Sequence, residues 1–229
     1  MVLNVKNKIN YYVTNIGFII WAFFLYQLSS IPFILATTGR IVKSEWEKNV
    51  AIVVGIILSI LLIRYLWKEF DGDFQPEITF MKDWKKSQKV WIYLILLILL
   101  IGGGYLAGFL PSSNNQAGIE EMFQGNKWST IIPVVVFGPI IEELIFRGLL
   151  QKLFFKRITT KLQLLLYLII SIVLFVGIHG PAMNLEMVPY ILMGVVFSLA
   201  YVLLGDIKYN ISLHIINNAI GILSLFLLN

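Results

Sequence analysis

The sequence predicts an all-α fold, a polytopic transmembrane helix bundle of about seven spans, on three observations. Hydrophobic residues make up 58% of the 229 positions and charged ones only 14%, where a soluble domain carries about 25% charge. Mean hydropathy is +0.82. The apolar residues come in blocks of membrane-crossing length rather than evenly. No linker-like or low-complexity stretch divides the chain, so residues 1–229 read as a single integral membrane domain.

The expected spans are 13–38, 49–67, 90–110, 129–151, 162–180, 187–204 and 209–228. The first starts too far into the chain, and lacks the small-residue cleavage site, for a cleaved signal peptide; Pro32 within it marks a bend or a dip into the interface. The link after the second span, 69–89, reads as a solvated loop anchored by Phe80 and Trp84, with an interfacial amphipathic helix as the alternative. At the end of the third, Gly104 and Gly108 have GxxxG spacing, which predicts close helix packing. The fourth carries "VFGPIIEELIFRGLL" (136–150), and the fifth and seventh hold the two histidines. An internal repeat, which an inverted-repeat transporter would show, is not evident.

Lysine and arginine test that count. Thirteen fall on the side of the N-terminus: Lys6 and Lys8, the cluster from Arg64 to Lys89, the cluster from Lys152 to Lys161, and Lys208. Arg40, Lys43, Lys48 and Lys127 fall on the other, and Arg147 lies inside a span. The positive-inside rule then predicts a multi-pass protein of the cell membrane with a cytoplasmic N-terminus and an outer C-terminus. It also explains the net charge of +5 without nucleic acid as a partner; the lipid bilayer is the expected one. The chain has no cysteine, which removes disulfides, thiol nucleophiles and thiolate metal ligands together.

Glu142, Glu143 and Arg147 stand where charge is expensive. Each costs about 2.5–3.5 kcal/mol at the centre of a span, on the order of 8–10 kcal/mol for three unpaired groups, so such residues face a cavity or the bundle interior. Glu143 and Arg147 are four apart, acid first, the favourable order for a helical pair. Glu142 is about 140° round the helix from Arg147, free to face another neighbour and to act as a base. Gly138 and Pro139 just before it mark a helix start or kink that admits water. Alone, the three charges are as readily an inert clamp as a site. The fifth span adds Phe175 and His179, and the seventh His214 and Asn218, each pair one helical turn apart on one face. Asn217 is about 100° from Asn218 and is expected outside the site.

Glu142-Glu143-x-x-x-Arg147, Phe175-x-x-x-His179 and His214-x-x-x-Asn218 together resemble, in order and spacing, the three motifs of the CPBP (Rce1-like) family of intramembrane proteases. That family includes the eukaryotic CAAX prenyl endopeptidases and bacterial members linked to bacteriocin, peptide-pheromone and self-immunity systems. The resemblance covers about 129–221, so the last four spans are the expected catalytic core; the first three carry no family signal. It implies a metal-independent glutamate protease with no cofactor. Glu142 would activate water, His179 would position or protonate, His214 and Asn218 would stabilise the oxyanion, Glu143 and Arg147 would be a structural pair, and Phe175 would pack beside His179 and shape the cavity. The implied partner is a membrane-associated peptide or protein substrate, and the lysine-, isoleucine- and asparagine-rich composition favours a bacterial peptide or leader over a prenylated protein.

Three rival readings use the same residues. A zinc-dependent membrane protease could draw on the glutamates and histidines, although no H-E-x-x-H is present. A non-catalytic scaffold or bacteriocin self-immunity protein would have no need of a free Glu142. A proton-coupled transporter would use Glu142 and the histidines as a relay.

Overall fold

The computed structural model describes residues 5–38, 41–71, 76–81, 83–180 and 184–228. Eight helices dominate it: α1 (Val5–Thr38), α2 (Glu45–Phe70), α3 (Lys86–Ala107), α4 (Asn114–Gly125), α5 (Lys127–Phe154), α6 (Lys161–His179), α7 (Val188–Leu204) and α8 (Ile207–Leu228). All but α4 are long and apolar enough to cross a membrane, which makes this a multi-pass membrane protein, with spans up to about eight residues longer at their ends than the hydropathy blocks.

Polar residues next to the apolar blocks start the helices. Ser44 and Glu47 form a reciprocal cap on α2, with Ser44 Oγ accepting from Glu47 N (3.2 Å) and Glu47 Oε2 from Ser44 N (2.9 Å). Thr160 and Gln163 do the same for α6. Ser113 caps α4, a helix the hydropathy pattern does not announce because it is short and largely polar. Helix α7 ends at Gly205, whose φ of 72° is the left-handed conformation that glycine adopts without strain, and Lys89 Nζ donates to Leu204 O there (2.7 Å).

Helices α5 and α7 form the centre. In each, 56% of the apolar window is buried, against 11–28% in the other five spans, whose outer faces are apolar and exposed as lipid contact requires. Around α5 stand the α1–α2 pair, α6 and α8; α3 and α6 flank α7. The main core joins Leu66 and Phe70 of α2, Ile141 to Leu150 of α5, Tyr167 and Phe175 of α6, Phe197 and Tyr201 of α7, and Leu213 of α8.

One expectation is corrected. Neither Gly104 nor Gly108 lets another helix in: a Cβ on Gly104 would meet nothing, and one on Gly108 only its own neighbouring turn. The close approach is at Gly103, where a side chain would run into Leu192 of α7. The GxxxG register therefore points at the wrong face by one residue. Helix α1 is continuous through Pro32, which lies inside it. In the link after α2, Phe80 and Trp84 are exposed and no helix forms among the described residues; Glu77–Ile78 instead pairs in parallel with Arg157–Ile158, tying this link to the one after α5. Residues 72–75 and 82 of that segment lie outside the described ones.

Candidate active site

The fourth span is not one regular helix. Turns with π geometry at Ile132–Phe137 and Leu144–Leu149 bracket the α-helical Gly138–Glu143, and such turns concentrate at functional sites. Gly138 N donates to Pro133 O, five residues back. In that register residue 139 would serve Val134 O, but Pro139 has no N–H. Asn218 of α8 supplies the donor instead, Nδ2 to Val134 O at 2.9 Å. Pro139, three residues before the first motif, thus leaves the carbonyl that anchors the asparagine of the third.

The buried charges meet as their spacing required. Arg147 Nη1 donates to Glu143 Oε1 at 3.0 Å, both side chains being 0% exposed. Glu143 also accepts from His214 Nδ1 (Oε1, 2.9 Å) and Asn210 Nδ2 (Oε2, 3.3 Å). It is therefore the hub joining α5 to α8 as well as the partner of Arg147, and a buried carboxylate is tolerable only when satisfied in this way. The Arg147 guanidinium lies over the Phe175 ring (4.4 Å), and Nη2 donates to Gly194 O (3.5 Å).

Glu142 faces the other way. Oε1 accepts from Tyr26 Oη of α1 at 2.8 Å. Oε2 has no hydrogen-bond partner and lies 3.7 Å from His179 Nε2 and 3.8 Å from His214 Nε2. His179 Nδ1 donates to Phe175 O (2.7 Å), since a carbonyl can only accept. His214 Nδ1 donates to the Glu143 carboxylate. Both imidazoles are thus held by Nδ1 with Nε2 turned toward one carboxylate oxygen. Aromatic rings fix their planes: Tyr190 stacks on His179 (4.9 Å) and Phe197 on His214 (4.6 Å). Phe175 is fully buried behind both histidines. A cavity of about 480 Å³, with His179, His214 and Asn218 in its wall, adjoins this group.

All seven residues singled out from the sequence therefore gather in one place, with partners the spacing did not name. Asn217, expected outside, shares the cavity wall, and its Nδ2 donates to Asn218 Oδ1 (3.2 Å). Asn210 is four residues before His214, so the same i, i+4 argument could have found it. Tyr26, Tyr190 and Phe197 had no such signal, being aromatics within apolar spans. No group of three or more histidine, aspartate or glutamate side chains among the described residues is arranged to hold a metal ion.

Comparisons with known proteins place a sequence match over the same part of the chain. The profile of the family described as "Type II CAAX prenyl endopeptidase Rce1-like" matches residues 124–220. Over those residues the chain is similar to the Rce1-like family. The match begins just before α5 and ends in α8, so the Rce1-like segment holds every site residue except Tyr26, which α1 contributes from outside it. The UPF0177 protein YvdC of Lactococcus lactis subsp. lactis is 24% identical over 210 residues, 86% of this chain and 74% of its own. No solved structure matches.

Proposed function

We propose that the chain is an intramembrane endopeptidase that hydrolyses a peptide bond of a membrane-associated peptide or protein, with Glu142 as general base. The observation that carries this reading is the unpartnered Glu142 Oε2 set against the Nε2 atoms of His179 and His214 beside a cavity. A water held by these three atoms gives a proton to Glu142 while its oxygen bonds to the carbonyl carbon of the substrate. Glu142 passes that proton to the amide nitrogen as the C–N bond breaks, and returns to its starting form. The oxyanion formed between the two steps accepts from the second N–H of Asn218 Nδ2, the first being committed to Val134 O. His214 adds a donor there once Nε2 is protonated as well. His179 keeps the water in line, and Glu143 with Arg147 holds His214 in register. The Rce1-like segment supports a protease of the CAAX type; processing of a peptide leader, pheromone or bacteriocin is the substrate reading that the composition favours.

Glu142→Gln keeps the size and the Tyr26 contact but removes the base, so cleavage is lost with normal folded yield. Mass spectrometry of secreted and membrane-associated peptides reads this out as a precursor that accumulates only in the variant. Identical peptide profiles at equal protein levels would overturn the reading and favour a binding or self-immunity role. Inhibition by a chelator that added zinc reverses would replace the metal-free mechanism.

A further inference from the structure

The cavity lies at one end of the bundle. Its wall is built from the end of α3 and the link to α4, from α4 itself, from the end of α6 and the start of α7, and from the last turns of α8. Each belongs to the side opposite the N-terminus. In the sequence that side carries four Lys and Arg against five Asp and Glu, and the N-terminal side thirteen against six. The bias places the cavity on the non-cytoplasmic side.

The residues that line the wall include Glu120 and Glu186 and, among the described residues, no lysine or arginine. Glu120 is exposed, its Oε1 accepting from Gln116 Nε2 (3.0 Å), and Glu186 is half-buried just before α7. The unpartnered Oε2 of Glu142, a residue only 7% exposed, lies 3.7 and 3.8 Å from the Nε2 atoms of the two histidines of this wall. A substrate cut within three residues of a free C-terminus would bring a carboxylate to within roughly 10 Å of the scissile bond. The wall would repel it and offer no cation to hold it.

Resting on the protease reading above, we propose that the cavity takes its substrate from the non-cytoplasmic side. That substrate is an internal segment of an exported peptide or protein, with a basic side chain near the cleaved bond facing Glu120 and Glu186.

The absence of cysteine makes the orientation directly testable. Single cysteines replace Glu121 on α4 or Lys161 at the start of α6, and intact cells are treated with a membrane-impermeant maleimide. Glu121→Cys is expected to label in intact cells and Lys161→Cys only after permeabilisation; the reverse pattern overturns the proposal whatever the activity. For the substrate, the wild-type protein in lipid vesicles is given an internally quenched peptide library with free or amidated C-termini. Cut peptides are expected to carry Lys or Arg within about three residues of the cut. Amidation is expected to raise cleavage severalfold where the cut lies near the C-terminus. The double substitution Glu120→Gln, Glu186→Gln is expected to reduce the basic preference severalfold, read as the ratio of kcat/KM for basic over non-basic peptides; an unchanged ratio overturns this substrate. Cleavage by wild type but not Glu142→Gln, with no preference for basic residues or amidation, overturns this substrate and leaves the protease reading intact. No cleavage of any peptide overturns both.

Discussion

Tyr26 Oη on Glu142 Oε1 sets which carboxylate oxygen faces the histidines, because only Oε2 is left free. A hydrogen bond to a charged group contributes about 1.5–3 kcal/mol, so Tyr26→Phe is expected to lower the cleavage rate about ten- to a hundredfold. The change should fall on kcat rather than KM, since Tyr26 is absent from the cavity wall; steady-state kinetics in vesicles would separate the two. Arg147 acts differently. Its removal leaves the Glu143 carboxylate buried with Asn210 and His214 alone, and breaking a buried pair costs about 3–5 kcal/mol. Arg147→Ala is therefore expected to reduce folded yield and lower the Tm in detergent, with Tyr26→Phe melting near wild type as the contrast.

At the scale of the element, the π turns of α5 control where Glu142 and Glu143 point. The first also brings Pro133 O close to Gly138: a Cβ there would lie 2.9 Å from that oxygen, 3.1 Å from Tyr26 Oη and 3.5 Å from Glu142 Oε1. Gly138→Ala must therefore shift backbone and disturb the Tyr26–Glu142 contact together. Overpacking of this kind costs about 1–3 kcal/mol. Because the strain falls on Glu142, the proposed base, activity is expected to drop by a larger factor than the modest change in Tm conveys. Comparison of cleavage rate with a detergent melt checks this; a stable and fully active Gly138→Ala would show that the turn relaxes elsewhere.

For the whole molecule, the site depends on α1, α5, α6 and α8 meeting at one depth, with α7 and α2 packed behind. Contacts at the lysine-rich end contribute far less. Arg157 Nε pairs with Glu77 Oε1 at 2.8 Å, but the side chains are 64% and 59% exposed, and such pairs contribute about 0–1 kcal/mol. Arg157→Ala is expected to leave both Tm and cleavage near wild type, in contrast with the buried pair at Arg147. A large loss would mean that the paired strands, and not only the helices, hold the bundle together.

Much of this was legible from order along the chain. Span number followed from hydropathy, because an apolar block of about 20 residues satisfies its own backbone in lipid as a helix. The Glu143–Arg147 pair, and the placing of Phe175 with His179 and of His214 with Asn218, followed from helical spacing, because i and i+4 always share a face. Asn210 was within reach of the same rule. What the tertiary structure alone decided is everything between helices. Tyr26 on Glu142, His214 on Glu143, Asn218 on the carbonyl left free by Pro139, and the close approach at Gly103 all join residues from different spans. The π turns belong with them, since they shift the register on which any periodicity argument depends. Local spacing fixes direction around one helix axis; which neighbour stands in that direction is set by packing of the whole bundle.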